Sequence, residues 1–213
     1  YGLRRSAIGI VRIFQEANID FGLRKLCEVS VDLFDNLTRS KKEVVDEVVI
    51  FIKERLENIL LDQGHRYDVV QTALKGLSDK IPHIINCVHT LSDYRQEKDF
   101  EELVTAYKRV KSIVEGKDKD NEIKSELLVE KPEKKLYNKY LKVNKRINEL
   151  EIQFPFEKIY QQLINLIDPV HDFFENVVVM TEDEKLKNNR LFLLNHILND
   201  MSLLGDLSQI ELD

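Results

Sequence analysis

His171 and Asp172 place an imidazole beside a carboxylate, the kind of side chains that hold a divalent cation in a metal-dependent phosphohydrolase. Such a site needs further ligands converging from other segments. The remaining histidines, His65, His83, His89 and His196, show no spacing that supplies them, so the dipeptide reads as a helix surface and no metal is expected. No GxxxxGK[ST] loop, GxGxxG turn or GxSxG elbow occurs, and the few glycines fall where helices should end. Cys27 and Cys87 lie far apart without a CxxC motif, which excludes a zinc ribbon and fits a reducing cytoplasm. With neither a nucleophile and base nor a nucleotide loop to assemble, no catalytic residue and no cofactor are expected in this chain.

Binding chemistry is better represented. Lys108, Arg109 and Lys111 fall on one helical segment, where at 100° per residue Arg109 and Lys111 flank its apolar stripe and Lys108 points away. Such cations can reach phosphates, although long basic stems also lie along core margins with their heads in water. Arg66 and Tyr67 form a second, smaller candidate set. Lys135, Lys139, Lys142 and Arg146 follow i, i+4, i+7, i+11 and form one basic stripe, readable as a phosphate track or as a solvated helix face. Single-stranded bases are read by stacking, for which Tyr67, Tyr94 and Tyr137 are candidates; Tyr107 and Tyr140 sit on apolar faces and belong to the core.

The elements carrying these residues are helical. Apolar residues recur at helical spacing over 3–17, 21–37, 40–63, 66–75, 78–91, 98–115, 132–150, 156–167, 170–180 and 181–204, and no strand pattern is convincing. Ser40 with Glu43 spells a capping box, as does Thr181 with Glu184, while Gly64 and Gly116 offer helix stops. Pro132 suits a first helical turn and Pro169 should break or kink a helix; residues 117–130 read as a loop with one short turn. The expected fold is all-α, a multi-helix bundle of eight to ten helices. No apolar run approaches a membrane span, so no membrane partner is expected, and an opening on Tyr1 fits an internal piece of a longer protein. The net charge of −6 is unevenly spread: +4 over 117–146 and −9 over 147–213. A diffuse electrostatic attraction to nucleic acid is therefore excluded, and any such contact must be local.

Three stretches together resemble the carboxy-terminal part of the bacterial glycyl-tRNA synthetase beta subunit. They are the opening Tyr1-Gly2-Leu3-Arg4-Arg5-Ser6-Ala7-Ile8-Gly9-Ile10-Val11-Arg12-Ile13, the helix Ala106-Tyr107-Lys108-Arg109-Val110-Lys111-Ser112-Ile113, and the run from Asp168-Pro169-Val170-His171-Asp172 through Asn188-Asn189-Arg190-Leu191. Ser112 stands where the family usually has Asn, and His171 where it commonly has Asp. The resemblance implies that residues 41–213 are a helical anticodon-binding domain of the DALR type and that residues 1–40 are a truncated remainder of the preceding helical domain. It further implies a non-catalytic, tRNA-Gly-binding piece of an alpha2-beta2 ligase, in which the alpha subunit uses ATP and Mg. The other readings to weigh are the anticodon-binding domain of another synthetase such as the arginyl enzyme, a helical protein scaffold, and an HD-type phosphohydrolase.

Overall fold

The computed structural model describes residues 2–116, 122–150 and 155–212. Among these, all regular structure is helical: ten α-helices and four 3-10 turns. No described helix is long and apolar enough to cross a membrane. The chain divides into two compact units, residues 1–93 and 94–213, so the boundary read at 40/41 falls inside the first.

The first unit is organised around α3 (Lys41–Asp62), which packs against α1 (Gly2–Glu16), α2 (Leu23–Val31) and α4 (Tyr67–Leu74). Val45, Val49, Ile52, Leu56 and Leu60 recur every three or four residues and are buried, so the helical period selects the face that packs. Ser40 and Glu43 form the expected capping box, and Gly64 ends the helix with φ 92°, a conformation costly for other residues. Helix α2 stops at Val31, six residues short of the sequence expectation. Leu33 is 80 % exposed and Phe34 62 %, so they add no burial, and the carboxylates of Asp32 and Asp35 oppose the negative end of the helix. Its amino terminus is capped from a distance: Gly22 has no side chain to offer, and Asp79 accepts hydrogen bonds from the backbone N–H groups of Leu23 and Arg24. A Cβ at Gly22 would come within 3.0 Å of the Asp79 carboxylate. Helix α5 (Ile81–Tyr94) opens at Ile81 rather than Ser78, whose hydroxyl accepts from the backbone of Lys80 before the helix begins.

In the second unit, α6 (Lys98–Val114) packs against α9 (Ile167–Asn176) and α10 (Glu184–Met201), while α7 (Lys131–Asn148) packs against α8 (Phe156–Leu163), α9 and α10. Phe100, Leu103, Val110, Leu136, Leu163, Phe173 and Leu194 form its fully buried interior. Pro169 has the effect expected of a proline, but upstream of itself. The break is a 3-10 turn at Ile164–Leu166, leaving Pro169 in the first turn of α9, where its missing N–H costs no helical bond. The capping residue of α10 is Asp183 and not Thr181: its carboxylate lies next to the helix start and accepts from the N–H groups of Lys185 and Leu186. The short turn expected in 117–130 is the 3-10 turn Ser125–Leu127; residues 117–121 lie outside the described residues, as does Phe154 of the expected Phe154-Pro155 break.

A buried ion pair joins two of these helices, and a side-chain amide beside it holds the segment ahead of α7. Arg190 of α10 pairs with Glu133 of α7, which is fully buried, and also donates to the carbonyl of Val178 at 2.8 Å. Beside it, Asn189 holds the backbone of Lys124 at two points, accepting from its N–H at 2.8 Å and donating to its carbonyl at 3.1 Å.

Candidate nucleic-acid interface

Helix α6 presents Lys108, Arg109 and Lys111 because Leu103, Ala106, Tyr107, Val110 and Val114 turn its opposite side into the core. Around this margin the chain folds back. Gly205, at φ 96°, reverses direction after α10, and a 3-10 turn at Leu207–Gln209 runs along α6. Lys108 donates to the carbonyl of Ile210 at 2.7 Å; Lys111 donates to the Asp206 carboxylate at 2.8 Å and the Ser208 hydroxyl at 2.9 Å. Tyr107 reaches the same carboxylate at 3.2 Å, and Arg95 donates to the carbonyl of Glu211 at 2.6 Å. Arg109 lies over the Phe174 ring, 4.4 Å from its centroid. The three cations are thus brought together on one helix, with two of them spent on securing the carboxy-terminal strap.

Asp206 is the charge centre of that strap. Burial alone would raise its carboxyl, but the hydrogen bonds from Lys111 and Ser208 prevail and hold it down at about 2. A carboxylate depressed from 3.8 to about 2 contributes about 1–2 kcal/mol once the solvent screening of this partly exposed pair is counted, present above the unfolded value and lost as pH falls through the folded one. Asp206→Asn is accordingly expected to cost about 1–2 kcal/mol at neutral pH and little near pH 2, measured by denaturant unfolding at both.

The basic stripe on α7 stands differently. Pro132 sits in the first turn, and Leu136, Tyr140, Val143 and Ile147 bury the inner face, leaving Lys135, Lys142 and Arg146 exposed and Lys139 half-buried beside them. Lys135 pairs with Asp172 at 2.8 Å, and this partner raises its pKa. Among the described residues Lys139 donates to the neutral amide of Asn165 at 3.0 Å and Arg146 to that of Gln162 at 3.3 Å, and Lys142 is exposed. Lys131, Lys134 and Lys145 are exposed on the same helix, so seven cations stand along it. Its one carboxylate, Glu133, points inward to Arg190. A cleft of about 680 Å³ opens beside the stripe, with Lys135, Lys139 and Lys142 on one side and Asp99, Glu102 and Asp168 among the residues facing them. These acids disfavour phosphate deep inside the cleft, which leaves the ammonium groups along its α7 rim as the electropositive surface.

Arg66 and Tyr67 lie in the first unit, at the start of α4. Arg66 approaches Asp68 at 3.3 Å, while Tyr67 is 61 % exposed, so its ring is accessible for stacking. Tyr94 is half-buried and stacked on Tyr160 at 4.2 Å, Tyr137 is half-buried on α7, and Tyr107 and Tyr140 are buried. His171 and Asp172 lie on α9, where Asp172 is engaged by Lys135 and Asn176; among the described residues no group of three His, Cys, Asp or Glu converges to hold a metal.

Sequence reasoning missed the strap, whose bonds span 95 residues or more, and it passed over Lys131, Lys134 and Lys145. The signal for the latter was legible: seven Lys and Arg in 18 residues, with one acid on the buried face.

Comparison with known proteins bears on both units. Residues 1–75 match the family model described as glycyl-tRNA synthetase beta subunit, and residues 103–206 match that of the DALR anticodon binding domain, which contains α7. The glycine–tRNA ligase beta subunit of Clostridioides difficile is 32% identical over 210 residues, covering 99% of this chain and 30% of that protein. Those of Sulfurihydrogenibium and Halothermothrix orenii are 35% and 34% identical, covering 94% and 100% of this chain and 27% and 31% of theirs. The chain therefore spans about 30% of the length of the curated relatives it matches.

Proposed function

The chain belongs to the glycyl-tRNA synthetase beta subunit family, and from that premise we propose that it is the non-catalytic part of a glycine–tRNA ligase that grips the anticodon region of tRNA-Gly. The observation that carries this reading is the cation-lined outer face of α7 inside the DALR-matched segment of an otherwise acidic chain. A tRNA backbone laid along Lys139, Lys142 and Arg146 exchanges condensed counterions for fixed ammonium and guanidinium groups, and those neighbours need not give up a carboxylate partner to receive it. Lys108 and Lys111 stabilise the wall behind; freeing them for RNA would cost the strap its anchors.

Under this reading an alpha subunit supplies the ATP- and Mg-dependent chemistry, and the residues here bind and position. Unpaired anticodon bases offer their faces and edges to a protein surface, so discrimination comes from a stacking or edge-reading residue and not from the lysines. The test is a titration of the full-length enzyme against tRNA-Gly and against the same tRNA with its anticodon replaced. The expected loss is about 1–3 kcal/mol, the cost of a misread base in other nucleic-acid complexes. Equal affinity for both across a range of salt would overturn anticodon recognition.

A further inference from the structure

Two helices of the first unit are apolar on more than one side. Helix α1 buries Ala7, Val11 and Phe14 in the unit yet presents Leu3 (80 % exposed) and Ile13 (58 % exposed) outward. Helix α3 buries Val45, Val49 and Ile52 and leaves Ile50 58 % exposed and Val48 38 %. A helix with a single partner needs one apolar stripe; apolar residues beyond that stripe indicate a second one. Between the two helices runs a groove of about 520 Å³, walled by Leu3, Ser6, Ile10, Val48, Ile50 and Phe51. The acids at its rim, Glu47 and Glu54, are already paired with Arg39 and Arg55, so what remains on offer is apolar surface.

We propose that this groove is the seat of an amphipathic segment of the same polypeptide, from the part of the full-length subunit amino-terminal to Tyr1. The family model for the beta subunit matches residues 1–75, the region that contains both groove walls. The chain aligns with the carboxy-terminal region of its relatives, so more than two thirds of each lies outside the match and on the amino-terminal side. A covalently continuous segment reaches the groove at high effective concentration, and an apolar helix laid between α1 and α3 removes Leu3, Val48 and Ile50 from water together. The inference is independent of where RNA binds.

The experiment uses the full-length beta subunit, purified without its partner subunit. Ile50→Cys and, on the opposite wall, Ser6→Cys are each compared with Lys145→Cys, an exposed position on α7, by the rate of maleimide modification read at each peptide by mass spectrometry. Modification at 50 and 6 is expected to be at least about tenfold slower than at 145, because the thiols react only on local opening. Rates equal to that at 145 would overturn the proposal. So would protection that appears only when the partner subunit is added, which would assign the groove to that subunit, or protection lost on dilution, which would assign it to a second copy.

Discussion

Arg190→Met is expected to lower the unfolding free energy of the second unit by about 3–5 kcal/mol, the range for removing one partner of a buried ion pair. The reason is asymmetry. Glu133 is fully buried on the inner face of α7, and without Arg190 its charge has no cation and no water, while the carbonyl of Val178 loses its donor. The second variant that makes this diagnostic is Glu133→Leu with Arg190→Met. Removing both charges removes both desolvation penalties, so the double variant recovers part of the loss, leaving only neutral groups such as the Val178 carbonyl and the Glu130 N–H without their side-chain partners. Urea unfolding followed by circular dichroism measures all three proteins. A double variant no more stable than the single one would show that packing, and not charge burial, sets the cost.

The largest functional effect is expected from reversing charge on α7. Lys139→Glu, Lys142→Glu and Arg146→Glu in one protein should weaken tRNA-Gly binding by about 100-fold near 0.1 M salt, given three lost phosphate contacts. They should also make the slope of log affinity against log salt about 2 units shallower, at roughly 0.7 per phosphate on a single strand. These positions are suited to the test because their inner neighbours, not they, carry the packing of the helix. The contrasting variant, Lys108→Glu with Arg109→Glu, should loosen the carboxy-terminal strap and leave the salt slope unchanged. If that pair flattens the slope and the α7 triple does not, the RNA face is α6.

Much of the architecture was written locally. The helical period of Val45, Val49, Ile52 and Leu56, the Ser40–Glu43 box and the stop at Gly64 each depend on residues within a turn or two, and each is seen as expected. The sequence is silent where a distant residue takes over a local role. Asp79 caps α2 for Gly22, a partner 57 positions away neutralises Glu133, and Asp206 claims Lys111 across 95. A lysine on a helix margin looks the same in sequence whether it faces a phosphate or its own chain's carboxylate. For that reason the order of the two basic sets could be weighed only after the chain's return path was known. Thr181 illustrates a smaller ambiguity: two capping-competent residues precede α10, and the one nearer the first turn wins.

The grip of Asn189 on Lys124 has a practical meaning for protein engineering. A side-chain amide that presents an acceptor to the backbone N–H and a donor to the carbonyl imitates a strand partner and fixes the chain at Lys124. With that point held, the polypeptide enters the 3-10 turn Ser125–Leu127, and then α7, from a fixed place. The clamp uses only backbone atoms of Lys124, whose side chain is exposed. A fluorophore attached through Lys124→Cys should therefore report on the protein without moving its cationic helix.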